Sequence, residues 1–352
     1  MTIDTKGMLP ESARAADHFG IAYGLGVDST AVLVELVRRQ LRPDFVLFAD
    51  VGSEKEGTYQ FLPVIQEFLA AAGFPPVTVV RYEPVRSPYT TIEGNMTMNA
   101  TLPGAVFNRG SCTVKWKIAP QEKWVRQHRH LYPGRIVKAI GFDAGEGYRR
   151  LRANDKVHAG ANDHYVYWYP LQDWGWDRNA CKAAIRNAGL PVPPKSACFF
   201  CANMKPNEVM DLSADERGRI VRMEMRAEPY NRKVEGLWRR RRVHDGRPGS
   251  VTEYMLRHGI PFTAPDDLEP MPLNPACAKA TQGFTFRPPH RRVSLTEMVA
   301  ARRRDEDAGP GNSSRACWRC EWAMSTERTR RHARRSGDDH EPALRQLRWD
   351  IR

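Results

Sequence analysis

Apolar positions in the first two-thirds of the chain follow two alternating rhythms. Apolar runs predict strands at 19–26, 43–52, 76–82 and 134–143, the second a short run bounded by Pro and Gly that reads as buried. Between and after them, apolar residues recur at helical spacing over 28–40, 56–73 and 177–190. The second helical stretch stops at Gly73 and carries Pro63, a poor residue for a helix interior. The third stops at Gly189, with Pro191 just beyond. Strands alternating with helices predict an α/β fold, a doubly wound and mainly parallel sheet with helices on both faces.

The rhythm changes near residue 205. The stretch "SADERGRIVRMEMRAEPYNRKVEGLWRRRRV" reads as charged helix, and from about 262 onward Pro, Gly and Arg dominate. "RRRDEDAGPGNSSR", 302–315, reads as a loop or linker. The expected organisation is an N-terminal extension over 1–18, an α/β domain over 19–205, and a basic, mostly helical or irregular region over 206–352. No internal repeat at a fixed period is visible.

Charge sharpens that division. The 352 residues carry a formal charge of +13. Residues 1–216 hold 25 Lys and Arg against 23 Asp and Glu, whereas 217–352 hold 29 against 18. A basic half of this kind can bind a polyanion such as nucleic acid by releasing counterions, or it can be a solvated face. No apolar run is long enough to span a membrane, and the N-terminus lacks the apolar core of a signal peptide, so the expected compartment is the cytoplasm. Thiols stay reduced there. The odd count of seven cysteines then argues for metal binding or catalysis over a disulfide framework.

Three stretches carry the candidate chemistry. In "FGIAYGLGVDSTAVLVELVRRQ", 19–40, a strand turns through Gly24 and Gly26 into a helix that opens with Asp28, Ser29 and Thr30. Glycines permit a tight turn and close backbone approach, and the amides and dipole of a helix start favour phosphate. The Gly-Lys-Ser/Thr ending of a Walker loop is absent, and Ser29 stands where a dinucleotide fingerprint has its third glycine. In "FNRGSCTVKWKIAPQEKW", 107–124, Arg109, Lys115 and Lys117 surround Cys112, and cationic neighbours activate a thiol. In "CKAAIRNAGLPVPPKSACFFC", 181–201, Cys198 and Cys201 have chelate spacing and Cys181 precedes them in a helix; with Cys112 they supply four thiolates, suited to zinc or to an iron–sulfur cluster. A second pair, Cys317 and Cys320, with Cys277 and either His290 or His332, is a candidate zinc element in the basic region. Trp318 and Trp322 beside it could stack on bases or pack a small core.

Gly26-Val27-Asp28-Ser29-Thr30 resembles the loop of the PP-loop ATP pyrophosphatases, although Gly24 and Leu25 stand where that family has Ser and Gly. "LFADVGSEKEGTYQFL", 47–62, resembles the second strand of its PAPS reductase branch, with Asp50 at the strand end followed by Gly52, Glu54 and the Thr58-Tyr59 pair. The Cys112 segment resembles the anion-gathering segment of the same branch. "IGFDAGEGYRR", 140–150, has the shape of the segment that borders nucleotide and substrate there, which points to Asp143, Glu146, Arg149 and Arg150.

The resemblance implies an adenine nucleotide alpha hydrolase-like fold. Gly24, Gly26, Asp28, Ser29, Thr30 and Asp50 would bind ATP with Mg²⁺, and Asp28, Cys112 and Lys115 would act in catalysis. Arg109, Lys115, Lys117, Asp143, Arg149 and Arg150 would meet substrate or anion. The implied reaction is adenylylation of a substrate, followed by sulfur transfer of the nucleic-acid thiolation type. A [4Fe-4S] cluster on Cys112, Cys181, Cys198 and Cys201 is implied, with Zn²⁺ as the alternative ion, and a sulfur-donor or electron-donor protein as partner.

Two other readings stay open. One is reduction of a sulfonucleotide such as PAPS; against it, Ser111-Cys112 replaces the double cysteine of adenylylsulfate reductases, and the C-terminal catalytic cysteine of PAPS reductases is missing. The other is a non-catalytic nucleic-acid-binding protein with a degenerate nucleotide fold.

Overall fold

The computed structural model describes residues 11–14, 16–85, 87, 89–103, 112–151, 164–228 and 234–265. Five strands, β1 (His18–Tyr23), β2 (Phe45–Asp50), β3 (Val77–Arg81), β4 (Ile136–Ile140) and β5 (Tyr165–Trp168), form one sheet in the order β3-β2-β1-β4-β5. Every pairing is parallel. Seven helices matter for the site: α1 (Val27–Arg38), α2 (Glu56–Ala71), α3 (Ile92–Met98), α4 (Ala119–Gln127), α5 (Arg178–Asn187), α6 (Ala214–Ala227) and α7 (Val251–Arg257).

The sheet is covered on both faces, which is why its central strands read as unbroken apolar runs. All six residues of β2 are buried. Val46 and Phe48 join Leu33 and Leu36 of α1, Ile65 and Leu69 of α2 and Ile185 of α5 in one core. Phe45, Leu47 and Ala49, one step out of phase, join Val125 of α4, Val80 and Ile136 in a second core on the opposite face.

α2 continues through Pro63. Pro63 lies on the exposed side of the helix, so the carbonyl deprived of its N–H partner can be hydrated. The buried stripe Thr58, Phe61, Ile65 and Leu69 holds the helix to the sheet regardless.

β5 was not foreseen from the sequence. Its run "YVYW" is rich in hydroxyl-bearing aromatics and only half buried, with Val166 and Tyr167 partly exposed, as suits an edge strand next to β4. Each of the four expected strands is shorter in the structure than its apolar run, the fourth closing at Ile140.

The chain runs from β1 outward to β2 and β3, then returns to add β4 and β5 on the other side. The topological switch therefore lies between β1 and β4. In open parallel sheets the cleft beyond the carboxyl ends at such a switch is where ligands bind. Past the sheet, α6 packs on α3, and Glu93 of α3 is buried against Arg219 and Arg222. Among the described residues no helix is long and apolar enough to cross a membrane.

Candidate functional site

The turn after β1 sits at the switch point. Leu25 has φ 54° and is completely buried, so its side chain anchors the turn in a backbone conformation that usually asks for glycine. Gly26 is the N-cap of α1 and the Thr30 N–H donates to its carbonyl at 3.0 Å. Ser29 braces the turn: its hydroxyl donates to the Gly26 carbonyl at 3.2 Å and accepts from the Gly24 N–H at 3.1 Å. The Thr30 hydroxyl faces Tyr23 at 3.0 Å in the core. The two hydroxyls expected to meet a ligand thus shape the loop in this structure. The N–H groups that open α1 have no intrahelical acceptors and supply the anion-binding capacity.

Gly141, just past β4, closes the other side. A Cβ there would lie 2.8 Å from the Ser29 nitrogen and 2.9 Å from its Cα. Only glycine lets the β4 end seat directly on the opening turn of α1.

Asp28 lies in that opening turn and is ion-paired with Arg178 at the start of α5. Its other oxygen, Oδ1, is buried with no hydrogen-bond partner. Burial raises its carboxyl above the usual aspartate range; Arg178 opposes that, and nearby Asp143 adds to it. Asp143 and Arg149 both act electrostatically on Asp28, so the segment after β4 does border the loop. Arg149 pairs with Glu146 at 2.8 Å and lies over the Phe142 ring at 4.1 Å. Arg150 pairs with Asp173 at 3.2 Å and lies over Tyr169 at 5.3 Å. Arg178 was missed by sequence reasoning; its signal is the helix start Asp177-Arg178, with Asp177 as N-cap accepting from Asn179 and Ala180.

Asp50 holds the β2 end together. Its Oδ1 accepts from the Gly52 N–H at 2.7 Å and the Tyr59 hydroxyl at 2.8 Å, and its Oδ2 accepts from Arg81 at 2.9 and 2.7 Å. Its carboxylate is thus engaged in shaping the turn that leads to Glu54.

Glu54 is the hub of the thiol region. Its side chain is fully buried and accepts from Lys117 Nζ at 2.9 Å and from the Ser196 hydroxyl at 3.4 Å. Its backbone forms an antiparallel bridge with Cys198. Flanking bonds extend the bridge: Lys55 N–H donates to Ala197 O at 3.2 Å and Phe199 N–H to Ser53 O at 3.1 Å. The same segment reaches the glycine turn after β1, because a Cβ on Gly26 would lie 3.3 Å from Ser196 Cβ. The thiol segment therefore abuts the glycine turn.

Cys112 opens a π-helical stretch, Thr113–Ile118, that presents Lys117 to Glu54. Burial pushes the Cys198 thiol far up; Glu54 adds to this, Lys117 opposes it, and Cys201 and Cys112 act on it in turn. Burial by itself would lower the Lys117 ammonium, but the charge and hydrogen bond of Glu54, with Cys198, leave it raised. Lys115 points elsewhere. Its ammonium lies over Tyr82, Tyr89 and Trp116 at 4.9, 5.1 and 5.5 Å and donates to the Tyr89 hydroxyl at 3.3 Å.

Three of the four nominated cysteines, Cys112, Cys198 and Cys201, share this region. Cys181 does not join them: it is wholly buried in the core that α5 forms with α1. Burial pushes its thiol up to about 12, with Asp28 and Asp143 contributing. Among the described residues, no group of three or more His, Cys, Asp or Glu side chains is arranged to hold a metal ion. Arg109, Cys277, His290, Cys317, Trp318, Cys320, Trp322 and His332 lie outside the described residues.

Neither a scan of protein-family models nor a search of curated proteins returned a match to this chain.

Proposed function

We propose that the protein is a PP-loop-type enzyme of the adenine nucleotide alpha hydrolase-like fold that binds ATP at the turn after β1 and adenylylates a substrate. The observation that carries this reading is the seat of Gly141 on the opening turn of α1, at the sheet's switch point, with the half-buried carboxylate of Asp28, its Oδ1 unpartnered, at its mouth. Helix-start amides there would take the β,γ-phosphates, and Arg178 and Arg149 would neutralise charge beside them.

A substrate oxygen attacks the α-phosphorus, the bond from that phosphorus to the pyrophosphate oxygen breaks, and pyrophosphate leaves. The residues present fit a divalent cation, because Asp28 Oδ1 is buried without a partner and Asp143 stands near it. Asp28 and Asp143 would hold Mg²⁺, which when bound offsets charge on the leaving group. The test is ATP binding by calorimetry with wild type and Asp28→Asn. Loss of metal-dependent binding in the variant supports the reading; equal binding removes Asp28 from it.

The thiol region beside the loop supports the second half of the proposal: sulfide-level sulfur from a donor attacks the activated carbon, the bond from that carbon to the adenylylated oxygen breaks, and AMP leaves. Cys112, Cys198 and Cys201 would hold an iron–sulfur cluster or zinc, a group that would supply or relay sulfur when bound; Cys181 stands apart from them. Among the described residues these thiols are not arranged as a ready ligand set, so holding the group would require them to draw together. Iron, sulfide and zinc analysis of protein purified without oxygen tests the assignment. Retained metal in Cys181→Ser and loss in Cys198→Ser is the expected pattern.

A further inference from the structure

Residues 238–247, "WRRRRVHDGR", form a turn between α6 and α7. Over 235–257 six arginines stand against three carboxylates. Arg240, Arg241, Arg242 and His244 are exposed, and Val243 is 94% exposed. A charge run of this kind commonly sits on a loose, solvated tip. Here both ends are clamped by one buried carboxylate. Glu224 of α6 accepts from the Leu237 N–H at 2.6 Å on one side of the turn. On the other side it accepts from the Ser250 hydroxyl at 2.6 Å and the N–H groups of Val251 and Thr252 at 3.0 and 2.9 Å.

Two glycines bring the ends together: a Cβ on Gly236 would lie 2.5 Å from Ser250 Cα, and one on Gly249 would lie 2.9 Å from the Arg240 carbonyl carbon. The Arg242 N–H closes the tip on Arg247 O at 2.8 Å. Arg239 is held at φ 73°, a left-handed conformation that costs a side-chain-bearing residue about 1–2 kcal/mol. The strain and the clamp together fix consecutive guanidinium groups on an ordered surface turn.

The turn is also tied to the thiol region. The Trp238 indole donates to Met204 O at 2.8 Å, and the Met204 N–H donates to Cys201 O at 2.8 Å. Two hydrogen bonds thus connect the arginine turn to the segment that carries Cys201.

We propose that this turn is a docking surface for the phosphate backbone of a nucleic acid. Planar guanidinium groups pair with phosphates, and a row of them gains affinity by releasing the counterions of a polyanion. The three local carboxylates are engaged within the turn: Asp245 pairs with Arg242 at 3.2 Å, Glu253 is contacted by both Arg241 and Arg257, and Glu235 accepts from the Gly249 N–H at 3.3 Å. An anionic membrane would be met by apolar side chains among the charges, and Val243 is the sole apolar residue within 239–247. Docking stands on these contacts alone. That the docked nucleic acid is the substrate rests on the activation chemistry proposed above.

The test uses the full-length chain and fluorescence anisotropy with labelled single- and double-stranded oligonucleotides across a salt series. Arg240→Gln/Arg242→Gln is compared with Arg126→Gln/Arg135→Gln, which removes the same charge from exposed positions elsewhere. The turn variant is expected to weaken binding about tenfold or more and to flatten the slope of log K against log salt on duplex by about two. The comparison variant should stay within about twofold of wild type, and Arg240→Lys/Arg242→Lys should retain most of the affinity. Equal losses in both Gln variants, unchanged binding in the turn variant, or no binding by wild type would overturn the proposal. So would uptake by anionic vesicles through the turn without oligonucleotide binding. ATP titration of the same proteins separates the two readings. ATP bound without oligonucleotide sinks docking alone, and oligonucleotide held at the turn without ATP sinks the activation chemistry alone.

Discussion

Replacing Gly141 by alanine adds one methyl group at the tightest backbone approach in the candidate site. That methyl carbon would lie 2.8 Å from Ser29 N, 2.9 Å from Ser29 Cα and 3.0 Å from Asp28 C. Ordinary contact begins near 3.5 Å, so the β4 end or the start of α1 must retreat by several tenths of an ångström. All three atoms are backbone, and no rotamer change relieves the clash. Overpacking of this kind costs about 1–3 kcal/mol, which for a domain of this size lowers the melting temperature by about 2–4 °C per kcal/mol.

The retreat also moves the helix-start amides and Asp28, so ATP affinity should fall at least tenfold, an effect of about 1.4 kcal/mol. Gly175→Ala is the control. Gly175 has φ 68° with nothing within 4 Å of an added Cβ, so alanine there costs only the left-handed strain, about 1–2 kcal/mol. It should leave ATP affinity unchanged. Differential scanning fluorimetry reads the stability and calorimetry reads the affinity. If Gly141→Ala binds ATP as tightly as wild type, the reasoning about this cradle is wrong.

Other residues make equally concrete claims. Asp28 has its carboxyl raised by burial, so its folded state holds the proton more tightly than the unfolded chain. Its ionisation penalises the fold above the ordinary aspartate value of 3.8. Asp28→Asn should therefore melt higher than wild type at pH 7, and the gain should vanish below that value; melting curves across pH check it. Glu54→Ala should destabilise by about 1–3 kcal/mol in chemical denaturation, a figure discounted because Lys117 is 38% exposed, and should speed alkylation of Cys198. An unaltered rate would remove Glu54 from control of that thiol. Cys181, buried and with its thiol pushed up, should resist alkylation at pH 8 in the folded protein while Cys112 or Cys201 reacts, as peptide mass mapping would show.

Much of this arrangement was legible in the residue order because it is local. The turn from β1 into α1, with its two glycines and Asp28, announces itself as a change from strand to helix rhythm within a few residues. The apolar run of β2 is a fully buried strand, and that of β3 is a strand at the sheet edge with Val79 and Arg81 exposed. What stayed hidden depends on distant parts of the chain. No periodicity pairs Asp28 with Arg178 or seats Gly141 on Ser29. The roles of hydroxyls were equally opaque: Thr30 turns to Tyr23 and Ser29 braces its own loop, although both stand where a phosphate ligand was expected. Cysteine spacing pairs Cys198 with Cys201 but says nothing of their nearness to Cys112, and helical phase sends Cys181 into the core with Ile185. β5 is hard to read because its aromatic run is half polar, and nothing in the residue order marks Glu54 as a buried hub.

Product analysis of ATP turnover decides whether the turn after β1 supports adenylylation. Full-length protein would be incubated with Mg²⁺, ATP and oligonucleotide, and the nucleotides separated by ion-exchange chromatography. The account predicts pyrophosphate together with an equal amount of AMP carried on the oligonucleotide, AMP that is freed when sulfide is added, with Asp28→Asn and Gly141→Ala strongly reduced. ADP and orthophosphate, or pyrophosphate release that both substitutions leave untouched, would contradict it.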